Sequence, residues 1–263
     1  MRKVYYSERS EKIDIKLNSI RDLKDLFVQI HEDLARDLYF RELYGNQKSN
    51  IDGIAGSNIE AFAFEKTRIR NLMPIDYNKR YKEHELFTLI ELLHDYVSEC
   101  KWDDFEETWM CNKEKGQRVF RDRINSILNI YDQGWELSTE GYIREWVNNG
   151  LGELIEAQYD NSDDEQYTEI QEAKKQFLRY GSTIDDKRSA LLQLGRVMEN
   201  VRREMTQLLP EKPDTEQLFH ILNKYNLRHN NPNQHKDYDR EIYYRWMFFI
   251  FLSAIDAYFQ MKD

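Results

Sequence analysis

Residues 242–259 read IYYRWMFFIFLSAIDAYF, and whether this run crosses a membrane or packs inside a protein decides the architecture. Arg245 and Asp256 leave only ten uncharged residues between them, whereas a bilayer requires about 18 to 20. Arg245, Ser253, Asp256 and Gln260 fall close to one helical stripe, with bulky side chains on the other sides. A helix that is apolar over most of its circumference is normally buried in a bundle or at a subunit interface. The run is therefore read as a core helix, and no membrane partner is expected.

Working backwards from that helix, the spacing predicts three more in succession. One covers about Gln166 to Tyr180 and stops at Gly181. The next takes Ser182 or Thr183 as its cap, places Asp186 in its first turn, and carries Leu191, Leu194, Val197, Met198, Val201 and Met205 towards Pro210. A third begins after Asp214, presents Leu218, Phe219, Ile221 and Leu222, and fades near Leu227; Asp237 or Asp239 then caps the last helix. Consecutive helices with short connections pack most simply as an antiparallel bundle. Residues 161–263 are accordingly read as a helical bundle domain.

The preceding residues 1–160 read as a second, mostly helical domain. Ile20, Leu23, Phe27, Ile30, Leu34 and Leu38 recur at three- and four-residue steps in a helix from about Leu17 to Tyr44 that stops at Gly45. Further helices are predicted from Asn58 to before Pro74, from Lys79 to Glu99, and after Gly116. Gly56-Ser57-Asn58 reads as a helix cap rather than a nucleophile elbow. WELSTEGYIREWV, 135–147, has apolar residues on either side of a Ser-Thr-Glu-Gly turn and reads as a small hairpin. The stretch QYDNSDDEQ, 158–166, has a linker's composition and places the domain boundary near 160.

Composition agrees with a mainly α protein. Ten Gly and four Pro in 263 residues are too few for a turn-rich β sandwich. Seventeen Tyr, 13 Phe and five Trp argue for a packed core rather than disorder. The formal charge of −10 discourages a nucleic-acid partner at first sight. Nine acidic residues, however, lie between Glu145 and Glu172 with no Lys or Arg among them. Beyond them, eight basic residues (Lys174, Lys175, Arg179, Lys187, Arg188, Arg196, Arg202 and Arg203) face four acids up to Glu204. Such a strip can track an RNA backbone or form a solvated face, and the adjoining acidic stretch can mask it. Cys100 and Cys111 do not form a CxxC motif; two free thiols of a reducing cytoplasm are expected, with a single disulfide between them the alternative. The N-terminus shows no signal-peptide core.

Chemistry concentrates in the connection before the last helix, Asn226-Leu-Arg-His-Asn-Asn-Pro-Asn-Gln-His235-Lys-Asp-Tyr238. Arg228 and His235 pair a permanent cation with a group that titrates near neutrality. That pair suffices for phosphodiester cleavage without a metal. Arginine grips phosphate oxygens and offsets the charge that develops on them, while histidine takes the proton from a ribose 2′-OH or gives one to the leaving oxygen.

Arg228, a polar His229 and His235 after six intervening residues, set in a helical bundle just before an apolar last helix, resemble the HEPN superfamily over roughly residues 165–263. The run Phe219-His-Ile-Leu-Asn-Lys-Tyr-Asn-Leu-Arg-His, followed by a Tyr- and Trp-containing helix, is similar to the HEPN domains of J-type abortive-infection phage-defence proteins. The resemblance implies a cytoplasmic, metal-independent and cofactor-free endoribonuclease acting on RNA such as tRNA or mRNA. It further implies a homodimer whose two Arg–His pairs share a cleft, held in check by an antitoxin or released by a phage trigger. Arg228 would bind the scissile phosphate, His235 would act on the 2′-OH, and His229 or Asn230 would position the backbone. Some members carry a Tyr shortly after the His that a partner nucleotidyltransferase modifies; Tyr238, displaced by one place, is its counterpart. Many HEPN domains are scaffolds, so a non-catalytic adaptor that binds a protein or nucleotide is the alternative.

Other motifs point elsewhere with less force. Glu91 and His94 make one ExxH step, but no second completes a di-metal site, so a surface or core pair is expected. His31-Glu32 and His84-Glu85 lack the remainder of a zinc-protease motif. Neither GxGxxG nor GxxxxGK occurs, so no glycine-rich loop supports ATP or dinucleotide use.

Overall fold

The computed structural model describes residues 16–46, 52–147, 150–159, 164–208, 212–224 and 238–262. They form a mainly helical protein with two small antiparallel hairpins. The chain divides into two compact units, Met1–Trp146 and Val147–Asp263.

In the first unit, α1 (Ile20–Arg36) starts where Ser19 Oγ accepts from Arg21 N. It buries Leu23, Phe27, Ile30 and Leu34, four of the positions expected from the spacing. Leu38 takes a positive φ of 67° and ends the run early, so the single long helix expected to Tyr44 is a helix plus the short α2 (Arg41–Tyr44). Next comes α3 (Ile59–Thr67), capped by Asn58 through Ala61 N at 3.0 Å, as its sequence suggests. Then α4 (Glu83–Tyr96) buries Leu86, Phe87, Leu89, Ile90 and Leu93.

A hairpin that the helical reading passed over follows. Its strands are β1 (Glu99–Asp103) and β2 (Thr108–Asn112), and the pair Cys100 and Cys111 face each other across it and form a disulfide. The expected free thiols are thus corrected: opposed positions in an antiparallel pair bring the two Cβ atoms close enough for a bond. After the hairpin, α5 (Lys113–Leu128) packs on both α1 and α4. Its Gly116 lies so close to Ser98 that a Cβ would come within 2.4 Å of the Ser98 Cα. The predicted second hairpin is present as β3 (Trp135–Leu137) and β4 (Ile143–Glu145). Its turn residue Gly141 has φ of 87°, and a Cβ there would meet His94 Nδ1 at 2.5 Å.

In the second unit, α6 (Gly152–Glu156), α7 (Asp164–Leu178), α8 (Ile184–Asn200), α9 (Arg202–Leu208), α10 (Lys212–Lys224) and α11 (Arg240–Lys262) form a helical bundle. Thr183 caps α8 in a reciprocal box with Asp186, as read from the sequence. The helix expected to run on to Pro210 breaks at Val201, giving α8 and α9. Phe177 of α7 stacks on Phe248 of α11 with centroids 4.0 Å apart. Tyr244, Phe248, Phe251, Leu252, Ile255 and Tyr258 are buried, which makes α11 the bundle's core helix. Each such side chain contributes about 1.5 to 3 kcal/mol relative to exposure. Among the described residues no helix is long and apolar enough to cross a membrane.

The division between the compact units falls before the boundary expected near 160, because residues 151–159 belong to the bundle. Ile155 and Tyr159 are core residues, and Tyr159 stacks on Phe259 at 4.6 Å. Lys174 fixes the segment by donating to the carbonyls of Ile155 and Ala157 at 3.1 and 3.2 Å.

Candidate functional site

The residues that carry the ribonuclease motif, Arg228, His229, Asn230 and His235, lie outside the described residues, as does Asp237. The elements on either side of them are described. α10 closes at Lys224, with Phe219 and Leu222 buried in the bundle core, and α11 opens at Arg240. Asp239 holds the start of α11: its Oδ1 accepts from Ile242 N at 3.2 Å and its carbonyl from Tyr243 N at 3.0 Å. Tyr238 is half-buried, with its ring 5.1 Å from Tyr243 and 6.4 Å from Tyr244. Its position at the foot of α11 therefore rests on aromatic packing.

The basic strip does not form one face. Lys174 is buried and its ammonium is spent on two backbone carbonyls, so it cannot meet a nucleic acid; it is a structural residue of the bundle. Lys187 pairs with Glu241 at the start of α11. Arg196 pairs with Glu169 at 2.8 Å, which joins a strip residue to the acidic stretch. Arg202 lies 4.3 Å above the ring of Phe219 and remains exposed, as do Arg179 and Arg203, while Lys175 and Arg188 are half-buried. Lys174 and Lys175 lie on α7 with Arg179 just beyond it, Lys187, Arg188 and Arg196 on α8, and Arg202 and Arg203 on α9 past the break at Val201. Among the described residues, the exposed cation nearest in sequence to the motif is Arg240, at the start of α11.

One face of α11 is both apolar and open. Ile242 and Trp246 are 65% and 43% exposed. With Leu151, Leu218, Phe249 and Ile250 they line a shallow groove of about 760 Å³, into which Arg245 brings a single charge. The polar stripe read from the sequence is open at Ser253 and Gln260, and the fold leaves Ile242 and Trp246 uncovered as well.

Glu91, His94 and His31 of the first unit serve its core. Glu91 accepts from Ile143 N at 2.7 Å, and His94 is buried with neither ring nitrogen hydrogen-bonded, so of the surface and core alternatives the structure takes the core one. Burial, with Arg121 and Lys113 nearby, lowers the His94 pKa to about 4. His31 is lowered to about 4 by burial alone, and its Nε2 lies 2.7 Å from the Tyr44 hydroxyl. Glu42, Cys100 and Cys111 are the one group of three potential metal ligands among the described residues, with ligand atoms within 4.8 Å of one another. The disulfide takes both sulfurs, which leaves Glu42 alone as a donor.

No family model, curated protein or solved structure matches the chain.

Proposed function

We propose that this protein is a metal-independent endoribonuclease of HEPN type. The observation that carries the reading is the position of Arg228 and His235: both stand in the segment joining α10 to α11, the last two helices of a helical bundle. Arg228 grips the scissile phosphate, His235 takes the 2′-OH proton, and the 2′-oxygen attacks phosphorus as the P–O5′ bond breaks, the departing 5′-oxygen receiving a proton to leave as a 5′-hydroxyl. The product on one side is a 2′,3′-cyclic phosphate. His229 and Asn230 hold the backbone, and the exposed cations Arg179, Arg202 and Arg203 add salt-sensitive affinity for RNA. A second copy docked on the Ile242–Trp246 face covers the apolar groove and supplies the other Arg–His pair. Such an enzyme acts in the cytoplasm, where cleavage of tRNA or mRNA arrests an infected cell. An antitoxin or phage-derived trigger sets its activity, and Tyr238 is the candidate for modification.

The exposed apolar face equally suits a non-catalytic adaptor, since a partner protein can fill the same groove. Incubation of purified protein with tRNA and total RNA in EDTA separates the readings. The enzyme cleaves, and His235→Ala reduces the rate by about 10²- to 10⁴-fold, the usual contribution of a general acid or base. Absence of cleavage, or equal cleavage by the variant, overturns the ribonuclease reading.

A further inference from the structure

A cavity of about 480 Å³ opens in the first unit between the first turns of α1 and the segment 77–81. Its walls are held by long-range bonds. Lys24 Nζ donates to the Tyr77 carbonyl at 2.6 Å, the Tyr77 hydroxyl donates to Gln29 Oε1 at 3.0 Å, and Tyr81 hydroxyl donates to the Leu72 carbonyl at 3.0 Å from a buried position. Asp76 shapes the turn by accepting from Asn78 N at 2.7 Å. The cavity is a built feature of the fold rather than a gap between mobile side chains.

Its lining is strongly cationic. Arg21, Lys24, Lys79 and Arg80 contribute four positive charges, and Asp25 is the single carboxylate among the lining residues. Asp25 is already engaged by Lys24 and lies 4.0 Å from Arg21. Lys24 is nearly enclosed, its side chain 9% exposed. Among the described residues Lys79 reaches the Pro74 carbonyl, at 3.3 Å, and the ring of Tyr81, at 5.6 Å. Neither Lys79 nor Arg80 forms an ion pair with a described residue. Glu60, Asp76 and Glu85 act on Lys79 from farther away, yet burial outweighs them and lowers its pKa. A partly buried ammonium such as that of Lys79, without an adjacent carboxylate, is costly unless an anion joins it.

The geometry points to a binding site for a small phosphorylated ligand, and we propose a nucleoside di- or triphosphate. Phosphate oxygens match the cations of Arg21, Lys79 and Arg80 that line the cavity, with arginine able to bind them in bidentate fashion. The volume exceeds what inorganic phosphate needs and lies in the usual range for small-molecule sites. Tyr77, 41% exposed at the rim, offers a ring on which a base can stack. No glycine-rich loop is required, because side-chain cations replace the backbone amides such loops supply. The site gives the first unit a sensing role that does not depend on whether the second unit cuts RNA.

Isothermal titration of the full chain with ADP and with pyrophosphate tests the assignment through binding alone. The wild type binds ADP saturably and more tightly than pyrophosphate. The double variant Arg21→Gln/Arg80→Gln, changed only at exposed positions, keeps its circular dichroism spectrum and loses at least tenfold in affinity. Lys79→Met weakens binding as well. No saturable ADP binding by the wild type, or equal affinity in the double variant, overturns the site. Binding of a short single-stranded RNA with no binding of ADP or pyrophosphate overturns the small-ligand assignment in favour of a polyanion surface.

Discussion

His94 shows how far a single residue's role departs from what its motif suggests. With Glu91 it makes an ExxH step, yet Glu91 anchors Ile143 N while the imidazole fills space beneath Gly141. Its pKa of about 4 when folded, against 6.5 for an ordinary histidine, means that the unfolded chain binds the extra proton first as pH falls. His31 behaves in the same way. Their stabilising effect is complete above pH 6.5 and is lost progressively as pH drops towards 4. Each loss is about 2 kcal/mol after allowance for solvent screening. Urea unfolding followed between pH 7 and 4 is expected to show this decline, and His94→Leu to remove about half of it. A flat profile for the wild type would contradict the burial of both rings. Caps were legible at this scale, as Asn58 and Thr183 illustrate, because a polar residue before an apolar run has a local meaning. Lys174 was not: a lysine that donates to two carbonyls of a distant segment has the same sequence signature as one facing water.

At the level of elements, the two hairpins differ in how clearly they announce themselves. β3–β4 has Gly141 in its turn and apolar residues on both flanks, and was read from sequence. β1–β2 turns through Asp103–Thr108 with no glycine, its positive-φ residue being Glu107, and its strands are dominated by charged and exposed positions. The cross-strand disulfide and the Trp102–Trp109 pair, 5.5 Å apart, hold it instead. Closing a loop with a sequence separation of 11 removes about 3 kcal/mol worth of unfolded-state freedom. Reduction, or Cys100→Ser with Cys111→Ser, is therefore expected to lower unfolding free energy by about that amount in urea titrations. Identical midpoints with and without reductant would show that the bond contributes nothing. For α11 the periodicity established a buried helix, but which side stayed open depended on neighbours the sequence did not position.

For the whole molecule, the sequence conveyed helical content, two parts and a bundle at the C-terminal end. The junction was displaced because acidity marked residues near 160 as linker, whereas Tyr159 and Ile155 are held in the core by contacts distant in sequence. The −10 charge is likewise uneven, and the Glu169–Arg196 pair shows acids of that stretch engaging the basic helices within one unit. The open groove on α11 sets the expected assembly. Trp246→Glu, at an exposed position, is expected to retain the fold and convert a dimer to a monomer in light scattering, with RNA cleavage lost alongside. A wild-type chain that is monomeric at tens of micromolar would contradict the paired site. The central claim is that Arg228 and His235 together cut RNA through the 2′-hydroxyl, and end-group analysis of the cleaved RNA tests it most directly. Mass spectrometry of products formed in EDTA should find 2′,3′-cyclic phosphates with the wild type and none with Arg228→Ala or His235→Ala; 3′-hydroxyl ends, or cyclic ends undiminished in both variants, would contradict the account.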